Sequence, residues 1–262
     1  MVTVADILTY IETIAPRYMK EDWDNVGLNC GHSDRPVSRI LVALDPFPHV
    51  CREAKDWGAD LLVTHHALIW KPGFVTDEST WGRSVLFLIE NGIAHINAHT
   101  NLDQAPGGVN DVLAKALGLQ NVQVLAPQGP DVLGRPWGLI HFGDAAQQPL
   151  EDFLATVKAS LGCDGLRYVD GGRPVRKVAV GGGSCSGAIY EVAAAGCDTF
   201  VTADIKYNGF WDAKELDLNL IDAGHFHTEN PVVAVLAEKI AAQFPENQVK
   251  ISETHHDCMK FY

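Results

Sequence analysis

No stretch of this 262-residue chain comes near the ~20 consecutive apolar residues that a membrane-spanning helix needs, so a helical membrane protein is not expected. Residues 1–6 have neither the basic start nor the apolar core of a signal peptide, and the expected compartment is the cytoplasm. Cations are few. With 20 Lys and Arg against 33 Asp and Glu, the formal net charge of −13 disfavours extended nucleic-acid binding, because phosphate recognition needs a basic surface. The six cysteines (Cys30, Cys51, Cys163, Cys185, Cys197, Cys258) include no Cys-x-x-Cys, which speaks for reduced thiols rather than a disulfide framework or a zinc knuckle. A Gly-Lys-Ser/Thr phosphate loop is also missing.

At 47% hydrophobic and 20% charged residues the composition is that of a globular protein, and ~100–200 residues per domain suggests one large or two small domains. The most informative stretch is Leu61-Leu62-Val63-Thr64-His65-His66, an apolar run that follows the turn Gly58-Ala59-Asp60 and stops at two adjacent histidines. It reads as a buried strand, and in an open α/β sheet ligands bind where strands give way to loops. Neighbouring strand residues point to opposite faces. Two imidazoles leaving the strand end can nevertheless reach two adjacent metals, or one metal and its bound water.

Around this stretch, Val4, Ile7, Leu8, Ile11 and Ile14 share one helical stripe that ends near Pro16. Strands are expected over residues 37–44, 61–64 and 93–98, and helices over 50–57 and 81–91. A polar loop, 70–80, holds Pro72 and Gly73, and the alternation implies a parallel α/β unit.

The second half repeats the first. Val37-Ser38-Arg39-Ile40-Leu41-Val42 matches Val175-Arg176-Lys177-Val178-Ala179-Val180, and at the same offset of 138 Glu53 falls on Glu191, Gly58 on Gly196, Asp60 on Asp198 and Thr64 on Thr202. His99-x-x-x-Asp103 matches His225-x-x-x-Glu229 at an offset of 126. Where His65-His66 stand, the second copy has Ala203-Asp204. The expected fold is α/β, with two pseudo-repeated lobes and a metal site in the cleft between them. The first lobe is expected over residues 1–125 plus 230–262 and the second over 126–229. The Pro- and Gly-rich segment 126–150 would be the crossover, 232–244 a helix, and 248–252 a last strand returning to the first lobe.

His65, His66, Asp103, His225 and Glu229 all stand at or just past expected strand ends, with His99 as a sixth candidate. A mixed imidazole and carboxylate set suits zinc, iron or manganese, and a carboxylate can bridge two divalent ions. Carboxylates of Glu21-Asp22-Trp23-Asp24 could back the ligands, though turn chemistry explains Asp24-Asn25 equally well. His227 is expected beside the ligands or in solvent, and His255-His256 on a surface loop whose tail could reach the cleft. The turn Gly181-Gly182-Gly183-Ser184-Cys185-Ser186-Gly187 could offer backbone N–H groups to phosphate, and it sets Cys185 at the spacing of a nucleophile elbow. A tight connection and a core thiol are the plainer readings of that turn.

Four ordered motifs, Trp23-Asp24-Asn25-Val26-Gly27-Leu28, Thr64-His65-His66, Ala98-His99-Thr100-Asn101-Leu102-Asp103 and Gly224-His225-Phe226-His227-Thr228-Glu229, resemble the Nif-three-like dinuclear-metal family, often labelled GTP cyclohydrolase 1 type 2 homologue. The resemblance implies two divalent ions (Zn, Fe or Mn) on His65, His66, Asp103, His225 and Glu229, with His99 matching the family's nearby histidine. It also implies a toroidal homohexamer. The chain departs from many relatives at Asn208, where they carry a histidine. The expected function is a metal-dependent hydrolase acting on a small-molecule purine nucleotide, with GTP ring opening as the named candidate and His99 or a carboxylate moving protons. The alternative is a non-catalytic metal-binding or regulatory protein acting through the toroid.

Overall fold

The first helix, α1 (Val4–Ile14), begins with reciprocal caps: Thr3 Oγ1 accepts the Asp6 N–H, and the Asp6 carboxylate accepts the Thr3 N–H at 2.8 Å. It buries Val4, Ile7 and Ile11, the stripe expected from spacing. The computed structural model describes residues 1–71 and 73–262, so Pro72 of the expected 70–80 loop lies outside the described residues.

After α1 come β1 (Gly27–Cys30), β2 (Arg39–Ala43), α2 (Pro48–Trp57), β3 (Leu61–Thr64), α3 (Thr80–Glu90), β4 (Ala94–Asn97) and α4 (Thr100–Gln104). The middle of the chain forms α5 (Val109–Ala116), β5 (Gln120–Leu125), β6 (Gly129–Pro130), β7 (Pro136–Trp137), β8 (Ile140–Gln148), α6 (Leu150–Leu161) and β9 (Arg167–Val169). Last are β10 (Val175–Val180), α7 (Ile189–Ala194), β11 (Thr199–Thr202), α8 (Tyr207–Glu215), β12 (Asn219–Asp222), α9 (His225–Glu229), α10 (Pro231–Gln243) and β13 (Gln248–Ile251). No described helix is long and apolar enough to cross a membrane.

The chain divides into two units, Met1–Leu102 with Val233–His256, and Asp103–Val232 with Asp257–Tyr262. In the first unit the sheet order is β1-β4-β3-β2-β13; β13, β2, β3 and β4 are parallel, and β1 pairs antiparallel with β4. The central strands β3 and β4 are wholly buried, which is why the 61–64 run reads as continuous apolar sequence. Leu41 and Leu62 pack with Val50 and Ala54 of α2 and with Val85 and Leu88 of α3.

The second unit has the order β5-β8-β10-β11-β12-β9, with β10, β11 and β12 parallel. Strand residues alternate between two cores. Val178 joins Leu113, Phe153 and Val157, whereas its neighbour Ala179 joins Ile189, Phe200 and Leu220.

The internal repeat is visible in the ladders. Ile40 pairs with Leu61 and Val178 with Thr199, so both strands of each pair keep the 138 offset. Asp60 accepts the Ser38 and Arg39 N–H groups, and Asp198 accepts those of Arg176 and Lys177. The third strands differ from the motif reading: Leu61 pairs with Ala94 and Thr199 with Asn219, an offset of 125. One extra residue therefore precedes His225. Gly224 takes it up at φ +84°, a conformation that side-chain-bearing residues rarely adopt.

Three expected boundaries shift, the smallest placing residues 230–232 in the second unit. Residues 103–125 pack with the second unit because α5 supplies Leu113 and Ala114 to its core and β5 pairs with β8. At the chain end, Asp257–Tyr262 also belongs there, with Asp257 Oδ2 at 3.3 Å from His227 Nε2. The 126–150 segment is more than a crossover: β6 and β7 form a small hairpin, and β8 pairs with both β5 and β10.

His95 lies at the middle of β4, fully buried, with Nε2 at 2.8 Å from Thr64 Oγ1. The Thr64 hydroxyl donates to the His66 carbonyl, so the imidazole donates to Thr64. Burial without a countercharge holds the imidazolium pKa down at about 3, against the ordinary 6.5. Between those values the unfolded chain binds a proton that the folded one refuses. The His95 contribution to stability is full above about pH 6.5 and is lost as pH falls toward 3, by up to ~1.4 kcal/mol per pH unit. Urea titrations of the chelator-treated chain between pH 7 and 4.5 should show this slope, reduced in His95→Gln, which keeps the donor but cannot take a proton. Equal slopes in both proteins would contradict it.

Candidate metal centre

In the first unit β3 ends in His65 and His66, and β4 ends just before His99, so adjacent parallel strands deliver three imidazoles to one sheet edge. One ring nitrogen of each lies within 4.8 Å of the others. Each Nδ1 lies near an oxygen. His65 Nδ1 is 2.9 Å from the Ala98 carbonyl, His66 Nδ1 is 2.6 Å from Asp45 Oδ1, and His99 Nδ1 is 2.9 Å from Asp24 Oδ2. An oxygen at Nδ1 fixes the proton there and leaves the Nε2 lone pair for a Lewis acid, the usual backing of metal-ligating histidines. Donor chemistry and tautomers thus fit a divalent ion.

Asp24 is held on both flanks. Its Oδ2 accepts the Thr100 N–H at 3.0 Å and hydroxyl at 2.6 Å, and Oδ1 accepts the Asn25 N–H at 2.7 Å. Burial alone would raise its pKa, but the hydrogen bond and charge of His99, followed by the Thr100 donors, hold it down at about 2. Asp45 is likewise pushed below the carboxylate range: burial opposes ionisation, and hydrogen bonds from His255 and His66 overcome it. Both carboxylates are anions placed behind imidazoles, the kind of partner that orients metal-ligating histidines.

The loops beside His99 carry Trp23 and Trp70, both exposed. Their ring centroids are 6.3 Å apart at 22°, and those of Trp70 and His99 4.9 Å apart at 90°. Asn25 ties the two loops by donating to the Ile69 carbonyl at 2.6 Å. The segment 23–25 therefore supplies an aromatic face, a histidine partner and a loop clamp in three consecutive residues.

In the second unit β12 leads through Gly224 into α9, where His225 and Glu229 stand one helical turn apart. Their Nε2 and Oε2 are 3.0 Å apart, and His225 Nδ1 is 2.6 Å from Asp204 Oδ2. Asp204 occupies the repeat position of His66 and adopts φ +53°, tolerable for Asp. Asp222 holds its loop by accepting the Ile205 N–H and pairing with Arg167.

Asp103 lies on α4, and its carbonyl accepts from Asn110 Nδ2 at 3.1 Å. Asn110 also donates to the Leu139 carbonyl, and its Oδ1 accepts the Gly182 N–H at 2.7 Å. A buried amide thus joins the Asp103 backbone to the Gly-rich turn.

That turn is a floor under Glu229. The N–H groups of Gly182, Gly183 and Cys185 already donate to Asn110, Thr228 and Thr202. A Cβ on Gly183, at φ +62°, would lie 2.1 Å from Glu229 Oε1 and 3.0 Å from His225 Nε2, so only glycine lets the carboxylate rest there. Cys185 is buried, its thiol donating to the Gly182 carbonyl at 3.2 Å, as a core thiol would. Asn208 is exposed in the first turn of α8, His227 Nδ1 lies 3.1 Å from the Leu161 carbonyl, and His256 is exposed. His255, expected on a surface loop, instead places Nε2 at 2.9 Å from Asp45 Oδ2.

Two α/β units built on one repeat each end their parallel strands in imidazole and carboxylate side chains that could hold a metal ion. The family model described as Duf34/NIF3 (NGG1p interacting factor 3) matches residues 2–258, and the chain belongs to that family. It is 36% identical over 240 residues to a Clostridium perfringens protein named GTP cyclohydrolase 1 type 2 homolog, covering 90% of each chain. A Streptomyces coelicolor protein of the same name is 39% identical over 266 residues, covering 97% of this chain and 88% of that one. The crystal structure of a Bacillus cereus protein related to NIF3 superposes with a TM-score of 0.93 at 26% identity, covering 100% of this chain and 99% of that one.

Proposed function

We propose that the chain is a dinuclear metal-dependent hydrolase acting on a planar heterocycle, with ring opening of a purine nucleotide such as GTP as the candidate reaction. His65, His66, Asp103, His225 and Glu229 are the proposed ligands of two divalent ions, zinc, iron or manganese. The observation that carries the reading is the oxygen behind each imidazole, because fixing Nδ1–H serves a ligand or proton carrier and not a surface loop. Bound ions would supply Lewis acidity and lower the pKa of water at the site.

The chain's own groups supply the rest. Trp23 and Trp70 offer flat apolar faces beside His99, and aromatic side chains stack on nucleobases of any sequence. His99 is the proposed proton carrier, with Asp24 Oδ2 at 2.9 Å from its Nδ1. The shared name of the relatives supports a GTP-like substrate. Product analysis after incubating the metal-loaded chain with a panel of purine nucleotides tests this: formate from the opened imidazole ring is expected, and silence across the panel would favour the metal-binding regulator.

Family membership further supports a toroidal homohexamer working in the cytoplasm. Light scattering should give about six times the 28.5 kDa chain mass, and a stable monomer at micromolar concentration would contradict it.

A further inference from the structure

The stretch that follows β13 gathers four donors on one carboxylate. Glu53 of α2 accepts the Ser252 hydroxyl, the Glu253 N–H at 2.8 Å, and the N–H and hydroxyl of Thr254 at 3.2 and 2.7 Å. Those donors hold the Glu53 pKa at about 2 against the opposing effect of burial. Fixing residues 252–254 delivers the next residue, His255, whose side chain is only 5% exposed, to Asp45. Phe47 packs edge-on against the His255 ring, with centroids 6.0 Å apart, and His49 lies at 5.7 Å.

Asp45 therefore receives an imidazole on each oxygen: His66 Nδ1 on Oδ1 and His255 Nε2 on Oδ2. A buried carboxylate with one donor can rotate about its last bond; one gripped at both oxygens cannot without breaking a charge-assisted hydrogen bond. We infer that His255 is a positioning residue for the metal centre, acting through Asp45 to fix the plane and tautomer of His66. The inference rests on the proposed role of His66 as a ligand. Glu53 already anchors residues 252–254; His255 commits its Nε2 to a carboxylate that also orients a proposed ligand, His66. Gln matches the reach of Nε2 and keeps an N–H donor, so His255→Gln separates the hydrogen bond from the mere presence of a side chain.

The test uses the full chain, stripped of metal and titrated with cobalt(II) alone, following the ligand-field absorption and competition with a chelator. His255→Ala should bind cobalt about tenfold more weakly, the lower end of what partners behind metal-ligating histidines contribute. Its visible bands should shift, its metal-free melting temperature should stay near that of the unsubstituted chain, and His255→Gln should recover most of the affinity. Unchanged affinity and spectrum in His255→Ala would overturn the inference while leaving the metal centre standing. A loss of affinity matched by a loss of metal-free stability, with no recovery in His255→Gln, would reduce His255 to a structural anchor and also overturn it. Failure of the unsubstituted chain to bind cobalt would overturn the metal-centre reading and this inference together.

Discussion

Formate release from GTP or a related purine nucleotide should disappear on chelation and fall by more than about a hundredfold in His65→Ala and Asp103→Asn, a larger loss than the 10–100-fold typical of residues that merely back a ligand. Both substitutions remove a donor atom and, for Asp103→Asn, a negative charge from the set that fixes local acidity of water. His65 is fully buried between β3 and the Ala98 carbonyl, so circular dichroism and melting should accompany the assay to show that the His65→Ala chain is folded. Cys185→Ser should keep most activity, because a serine hydroxyl can donate to the Gly182 carbonyl as the thiol does and the proposed reaction assigns no part to sulfur. Turnover that survives both ligand substitutions would place the chemistry elsewhere or in a contaminant.

Much of the fold was legible because parallel strands buried on both faces leave continuous apolar runs. The 61–64 run and its repeat at 199–202 are strands with the same ladder register. The histidines stood out for the same reason: polar residues that end a buried strand interrupt a strong pattern. What sits behind them did not stand out. Asp45, Asp24, Asp204 and the Ala98 carbonyl come from separate loops, and no local pattern links an aspartate to a histidine 21 or 75 residues away. Asp24 looked like a turn former and is one toward Asn25, while its other oxygen serves His99 and Thr100. Glycine spacing in the 181–187 turn reports a close approach without saying to what; at Gly183 the neighbour is Glu229. His255 was hidden by its place in a polar chain end, whose order depends on Glu53, about 200 residues earlier.

Metal content bears most directly on the central claim. The proposed ligand set draws on carboxylates as well as imidazoles, since a carboxylate can bridge two divalent ions. Glu229 is the one that Gly183 and Gly182 make room for, and with the carboxylate buried at 3.0 Å from His225 Nε2 its loss strips a charge and a potential bridge at once. Glu229→Ala is expected to lose most bound metal, with melting of the metal-free protein close to that of the unsubstituted chain. The decisive measurement is elemental analysis of gently purified protein and of Glu229→Ala: about two equivalents of divalent metal per chain falling to well under one is the expected result, whereas full occupancy in Glu229→Ala, or no metal in either protein, would contradict a dinuclear centre built from these residues.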